Sequence, residues 1–464
     1  MTLTLRDIRR AAAGIVPGTV ATCSADGEPN VSYISQLEIV DDRHVALSRQ
    51  FFNKTSRNLD ENPLARVQLH DPVTFEPIQL RLRFCRSETS GPLFESMSSR
   101  IDAIASHTGM RGVFRLVSAD VFEVLEIRSV DGFFVSATSR APEHAEPVFT
   151  EQGALTELRA LQLVCERINR AHCLESMLAE TLAALDELHG FRYSMVLVPD
   201  ESRERLVTIA SHGYGAEGIG AEVALEDGLI GMAAAQRRAL RTHDLEGDLR
   251  YGRAIRERVF RAAGATRARP EIPLPGLPNA RAQIALPLVV RDRLVGVLAV
   301  ESRDPSTFDE WHERYLDVVA HQIALGIEHH GELDDTAEAK SAEPERPSLV
   351  GDPSATRRTF VFYRNDDCVF VDGEYLIRNV PGLVLWKVLS GFAREGRSEY
   401  TNRELRLDPS LKLPAGKDNL ESRLILLRKR LEQKCPDVRL ARLARGRFRL
   451  ELDRPIALVE RDTA

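Results

Sequence analysis

The hydrophobic and polar positions of this 464-residue chain change period twice along its length. In the first stretch, β-prone runs at 18–24 and 30–39 flank Asp26-Gly27, which predicts a hairpin. Short strands are expected at 45–48 and 65–69, and residues 78–84 (IQLRLRF) alternate with period two. Between them residues 53–61 are polar, show no alternation and stop at Asn62-Pro63, so a short helix is predicted. This part reads as mainly β with one or two helices.

From residue 155 the period becomes helical. Leu155, Leu158, Leu161, Val164, Cys165 and Ile168 share one face, as do Met177, Leu178, Thr181, Leu182, Leu185 and Leu188. Strands follow at 193–198 and 206–210, then 283–290 and 293–301 around Arg291-Asp292, and a last helix is expected from 309 to near 329. Residues 334–356 carry three prolines and almost no large apolar side chain, the composition of a linker. A weaker boundary falls at 138–153. After the linker come short strands at 360–363, 369–371 and 375–377, with Asp372-Gly373 as a turn. A helix follows Pro381, a second opens on the capping box Thr401 to Glu404, and a third opens at Asp418 with Leu420, Leu424, Leu427 and Leu431 inward. A hairpin, 438–443 and 448–452, closes the unit.

Composition narrows the classes. Hydrophobic residues make up 43% and charged residues 28%, enough to bury several cores. The longest apolar runs, 284–290 and 294–300, fall far short of the roughly 18 residues that span a bilayer, so no membrane partner is expected. Arg9-Arg10 before three alanines is a poor export signal, with Asp7 ahead of it and Pro17-Gly18 behind; a cytoplasmic protein is expected. Six scattered cysteines without a CxxC pair fit reduced, mostly buried thiols and no metal site. Charge is uneven: residues 1–150 carry −3, 151–356 carry −11 and 357–464 carry +7. A basic tail on an acidic body points to an anionic partner, nucleic acid first.

Three resemblances join these patterns. The order GTVATCSADGEPNVSYIS, HVALSRQFFNKTSRNLDENPLARVQL and FRLVSADVFEVLEI resembles the FMN-binding split barrel of pyridoxamine 5'-phosphate oxidase and its relatives. The resemblance implies FMN held by Ser48, Arg49, Lys54 and Thr55, with Ser32 and Ser35 as lesser candidates. A dianionic phosphate does favour a helix N-terminus with fixed cations, and Lys54 is the only lysine before Lys340. The substrate-phosphate residues that the oxidase carries near its C-terminus find no match. EDGLIGMAA, IALPLVVRDRLVGVLAVES and FDEWHERYLDVVAHQIALGIEH resemble a GAF domain over residues 155–330. Phe308-Asp309-Glu310 lacks the spacing of a cyclic-nucleotide motif, and His189, His212 and His243 stand as isolated histidines rather than a haem set. The ligand of such a domain is an unidentified small molecule.

The tail, through LRKRL and LARLARGRFRLEL, resembles the OmpR-type winged helix. That implies DNA contacts from Arg423, Arg428, Lys429 and Arg430 on the third helix and from Arg445 and Arg447 on the wing. Leu426 departs from the pattern, standing where such regulators present an arginine to the bases. The expected architecture is therefore multidomain: a β split barrel at 1–140, an α/β GAF domain at 151–332, a linker at 333–356 and a C-terminal winged helix at 357–460. The expected function is a homodimeric one-component transcriptional regulator sensing a flavin-linked redox or small-molecule signal. The alternative is an FMN-dependent oxidoreductase whose GAF and winged-helix domains regulate it.

Overall fold

The computed structural model describes residues 3–50, 53–72, 74–110, 115–130, 151–200, 204–214, 218–250, 253, 276–305, 307–336, 357–411, 413 and 420–462. They fall into two units: Met1–Leu158 with Glu226–Ala285 and Val300–Arg314, and Arg159–Leu225 with Leu286–Ala299 and Tyr315–Ala464.

The first unit opens with a short helix α1 (Arg9–Ala12) and then the expected hairpin, β1 (Gly18–Cys23) and β2 (Pro29–Ile34). Gly27 supplies the positive φ of +91° that the connection needs. Next come β3 (Leu37–Ile39), β4 (His44–Arg49), α2 (Asn53–Glu61), β5 (Leu64–His70), β6 (Pro77–Glu88), α3 (Pro92–His107) and β7 (Ser118–Ser129). The seven strands lie in the order β2-β1-β5-β6-β7-β4-β3. Alternation sends Val45 and Leu47 into one core with Val67, Leu80 and Leu82. The opposite face of β4 and β7, Ala46, Ala119 and Val121, packs on Met97, Ile101 and Ala105 of α3.

Two expectations are corrected here. The predicted run 30–39 is not one strand: it breaks at Ser35, and β3 pairs with β4 rather than continuing β2. The Ser48 N–H donates to Gln36 O at 3.1 Å across that break. Helix α3 was not predicted because Ser99, Ser106 and His107 are buried among its apolar residues, which interrupts the stripe that periodicity detects. Its start was legible in Gly91-Pro92, with Gly91 at φ +96° and proline at the first turn.

The next elements are α4 (Glu151–Arg170), α5 (Leu174–His189), β8 (Tyr193–Pro199), β9 (Arg205–His212), β10 (Glu222–Ala224), α6 (Gly228–Gln236), β11 (Leu240–Thr242), β12 (Ala282–Val290), β13 (Arg293–Ser302) and α7 (Glu310–Thr336). Within the first unit, α6 starts where Gly228 N–H donates to Ser106 Oγ at 2.7 Å, and β11 pairs with the first residues of β12. Within the second unit the strand order is β10-β9-β8-β13-β12. Gly296 is required there, because a Cβ would lie 2.5 Å from Leu197 O. Arg291 and Asp292, with φ of +48° and +60°, close the predicted hairpin. Helix α7 runs to Thr336, past the expected end near 329 and into the expected linker. The remainder of that linker, 337–356, lies outside the described residues, as does most of the 138–153 boundary.

The tail contains β14 (Arg358–Tyr363), β15 (Cys368–Val371), β16 (Glu374–Ile377), α8 (Asn379–Glu395), β17 (Glu399–Thr401), α9 (Asn402–Arg406), a 3-10 turn (Pro409–Leu411), α10 (Leu420–Lys434), β18 (Val438–Ala444), β19 (Arg447–Leu452) and β20 (Ile456–Arg461). They form a sheet β16-β15-β14-β20 and a sheet β17-β19-β18. Strand β20, parallel to β14, had no separate sequence signal. The four inward leucines of α10 are buried as read, against Val384, Leu385, Val388 and Phe448. The second helix is only five residues long. Thr401 Oγ1 accepts from Glu404 N–H at 3.2 Å, while the Glu404 carboxylate pairs with Arg397, so the cap forms with a different second half. Asp418 lies outside the described residues. The cysteines are less buried than expected: Cys368 and Cys435 are buried, Cys85 is exposed, and Cys23, Cys165 and Cys173 are intermediate.

Candidate functional site

In the first unit the nominated flavin residues converge on the first turn of α2. Strand β4 ends at Ser48 and Arg49, and Arg49 Nη1 donates to Ser56 Oγ of α2 at 3.1 Å. Ser32 of β2 lies 3.1 Å from Thr55 Oγ1, which also accepts from Asn30 Nδ2 at 2.9 Å. Asn58 Nδ2 donates to Thr22 Oγ1 at 3.2 Å, so a hydrogen-bonded polar seam joins α2 to the first hairpin. Sequence reading missed Thr22, Asn30 and Asn58; the signal was a polar residue at the inward-facing position 22, which is 4% exposed. Lys54 extends to Glu28, with Nζ–Oε1 2.7 Å, and is 41% exposed.

Two groups in this cluster hold unspent hydrogen-bonding capacity. Ser48 is 1% exposed, and its Oγ and Arg49 Nε have no hydrogen-bond partner among the described residues. Buried polar atoms without partners are costly. The Arg49 guanidinium also lies 3.8 Å from Asp120 Oδ2, and Asp120 accepts from Ser87 and Ser118 at 2.6 Å each. A helix start, an arginine, a mobile-ended lysine and an unpartnered hydroxyl are the donor set that a phosphate accepts from. The chemistry of these residues would suit a phosphate such as that of a flavin mononucleotide, which Ser48, Arg49, Lys54 and Thr55 would hold. Ser35 is placed elsewhere, on the wall of a cavity that also includes Gln50 and Arg100.

The second unit places the nominated DNA contacts very differently. Arg423 is 5% exposed, and its Nη2 donates to Pro199 O at 3.0 Å. Arg428 pairs with Glu421 at 3.1 Å and lies 3.8 Å from Glu175. Lys429 lies 3.3 Å from Glu175 and 3.1 Å from Glu432. Arg430 donates to Gly220 O at 3.3 Å; Gly220 has φ +82°, and a Cβ there would collide with the guanidinium. Arg445 Nη2 sits 3.4 Å from His330 Nδ1. Arg447 pairs with Glu399 at 3.0 Å, within its own hairpin sheet. Thus five of the six meet α5, α7, the end of β8 or the turn before β10. Leu426 is buried, which accounts for its departure from an arginine. Val207 of β9 and Ile219 join the apolar core of the tail, and Arg378 pairs with Glu222 of β10 at 2.7 Å.

The three histidines weighed as ligands each have other surroundings. His189 lies tilted against Tyr315 with centroids 4.2 Å apart, and His212 Nε2 lies 2.9 Å from Asp186. His243 belongs to the cavity wall.

Residues 7–128 match the pyridoxamine 5'-phosphate oxidase family model, and residues 171–328 match the GAF domain model. The chain thus joins a split barrel of the pyridoxamine 5'-phosphate oxidase kind to a GAF domain, and residues 357–464 lie outside both matches. No curated protein matches the chain. Among solved structures, the GAF domain of an Acinetobacter phosphoenolpyruvate-protein phosphotransferase is 20% identical, covering 40% of this chain and 98% of that one with a TM-score of 0.31. An FMN-binding protein from Syntrophomonas wolfei subsp. wolfei is 21% identical over 28% of this chain and 90% of its own, with a TM-score of 0.24. The free methionine-R-sulfoxide reductase of Neisseria meningitidis, in complex with its substrate, is 21% identical over 38% and 90%, with a TM-score of 0.30. Among the described residues no helix is long and apolar enough to cross a membrane.

Proposed function

We propose that this chain is a cytoplasmic, homodimeric transcription regulator in which a flavin-binding split barrel and a GAF domain control a C-terminal winged helix that binds DNA. The observation that carries this reading is the seating of α10. Four of its basic residues, Arg423, Arg428, Lys429 and Arg430, are engaged by Pro199 O, Glu175 and Gly220 O. In the second unit these cations of a tail of net +7 are thereby occupied in this conformation. The part-exposed Lys429–Glu175 pair contributes about 0–1 kcal/mol, and the hydrogen bonds of Arg423 and Arg430 to backbone carbonyls about 1.5–3 kcal/mol each. A signal that loosens the GAF domain by a few kcal/mol would free the helix. FMN in the barrel, on the phosphate holders named above, would supply redox sensitivity.

The test uses the full chain and labelled duplex DNA at about 50 mM salt, where phosphate contacts are screened least. Glu175→Gln with Glu222→Gln should tighten DNA binding several-fold and steepen its salt dependence, relative to a control that neutralises the exposed Glu246 and Asp304. If neither the parent nor the released variant binds duplex, the regulator reading fails. NAD(P)H turnover by flavin-loaded protein would then favour the oxidoreductase.

A further inference from the structure

The first unit holds a partly open cavity of ≈ 70 Å³ whose polar wall includes Gln50, Arg100, His243 and Asp248 and whose apolar wall includes Leu37 and Ile101. None of Ser32, Ser48, Lys54 or Thr55 lines it, so it is separate from the phosphate holders. Gln50 Oε1 and His243 Nδ1 are buried and have no hydrogen-bond partner among the described residues. One is an acceptor in want of a donor; the other can serve either way.

The charged walls are one of each sign. Arg100 is held by its Nε donating to Arg241 O at 3.2 Å, and with the Gln36 amide turned, Arg100 Nη1 donates to its oxygen at 2.9 Å. A guanidinium has five N–H donors, so some remain for a ligand. Asp248 accepts from Thr242 Oγ1 at 2.7 Å, and burial, outweighing that bond and the attraction of the Arg100 guanidinium, pushes its carboxyl up to about 6. Burial, with the Arg100 and Arg241 guanidiniums, pushes His243 down to about 3, which leaves it neutral at pH 7 and no competitor for the carboxylate.

From this juxtaposition we infer that the cavity binds a small α-amino acid, its carboxylate on Arg100, its ammonium on Asp248 and Gln50 Oε1, and its short side chain on Leu37 and Ile101. Size sets the limit. A water-sized group takes roughly 10–15 Å³ on this scale, so the cavity accommodates about five to seven heavy atoms, the range from glycine through alanine to serine. The inference does not depend on DNA or flavin binding.

The experiment is thermal unfolding and calorimetric titration of the full chain with glycine, L-alanine and L-serine, against acetate and methylammonium, which each carry one of the two charges. The expected result is a raised unfolding temperature and saturable binding with the amino acids alone. Asp248→Asn, which is isosteric, and Gln50→Leu should each weaken that binding by about ten-fold or more. Arg100→Met should abolish it; should that variant not fold, the other two carry the test. No response to any of the three amino acids overturns the proposal. So does an equal response to acetate or methylammonium, or binding unchanged in Asp248→Asn and Gln50→Leu.

Discussion

The first turn of α2 and the length of α10 carry the same chemistry, cationic side chains on a short helix, with opposite outcomes. At α2 the donors are left over: Ser48 Oγ and Arg49 Nε lack partners among the described residues, and Lys54 is held only by an exposed carboxylate. Along α10 every nominated cation has found a protein acceptor, although Arg428 Nε, like Arg49 Nε, is buried without a hydrogen-bond partner among the described residues. The difference lies in what surrounds each helix. Helix α2 meets hydroxyl and amide groups of β1 and β2, which satisfy one another, so its cations turn to single carboxylates, Lys54 to the exposed Glu28 and Arg49 to Asp120 at 3.8 Å. Helix α10 meets backbone carbonyls that accept from Arg423 and Arg430 and the carboxylates of Glu175 and Glu421 that pair with Arg428 and Lys429. Residue type alone therefore does not mark a binding surface; the groups packed around each cation decide.

That contrast can be broken most severely through the core beneath α10. If the helix is anchored by its leucines, Leu424→Ala should cost about 2–5 kcal/mol, read from the urea unfolding midpoint of the full chain. A loss under about 1 kcal/mol would mean that the helix is not fixed by the core and that its pairings are incidental.

The second effect sharpens the α2 side. Ser48→Ala with Lys54→Ala should lower FMN affinity by roughly two to four orders of magnitude, because two charge-assisted hydrogen bonds are lost, each worth about 1.5–3 kcal/mol. Glu28→Gln, which releases Lys54, should tighten it by about two- to five-fold. Flavin fluorescence titration reads both, and an unchanged affinity in the folded double variant would remove the phosphate holders from the proposal.

The smallest effect concerns His330, beside Arg445. Burial first, and the Arg445 guanidinium second, push His330 down to about 4. The unfolded chain takes up this proton near 6.5 and the folded chain only near 4. Stability contributed by the neutral ring is therefore complete above about 6.5 and lost as pH falls towards 4, with a slope of up to about 1.4 kcal/mol per pH unit. His330→Gln should remove that slope from unfolding measured between pH 7 and pH 4.5; identical slopes in both proteins would show that the Arg445 contact does not form in solution.

Much of this architecture was legible from pattern alone, because period is a local property. Residues 53–61 gave α2 with its observed bounds, Arg291-Asp292 gave its hairpin, and the four leucines of α10 gave its buried face. The nominated residues around Ser48 and Lys54 also came together, since a strand end and the helix that follows it are neighbours in the chain as well as in space. What the sequence could not supply was anything decided by distant partners. Helix α3 hid because buried serines and His107 interrupt its apolar stripe: Ser99 and Ser106 donate to carbonyls of their own helix, and the tertiary contact of Ser106 Oγ with Gly228 N–H comes from far along the chain. Strand β20 hid because its partner β14 lies about a hundred residues earlier. The basic face of α10 read as a free surface because a charge count contains no distances. Only the tertiary structure placed Pro199, Gly220 and Glu175 against it, and only there do the same arginines change from cations awaiting a partner into cations that already have one.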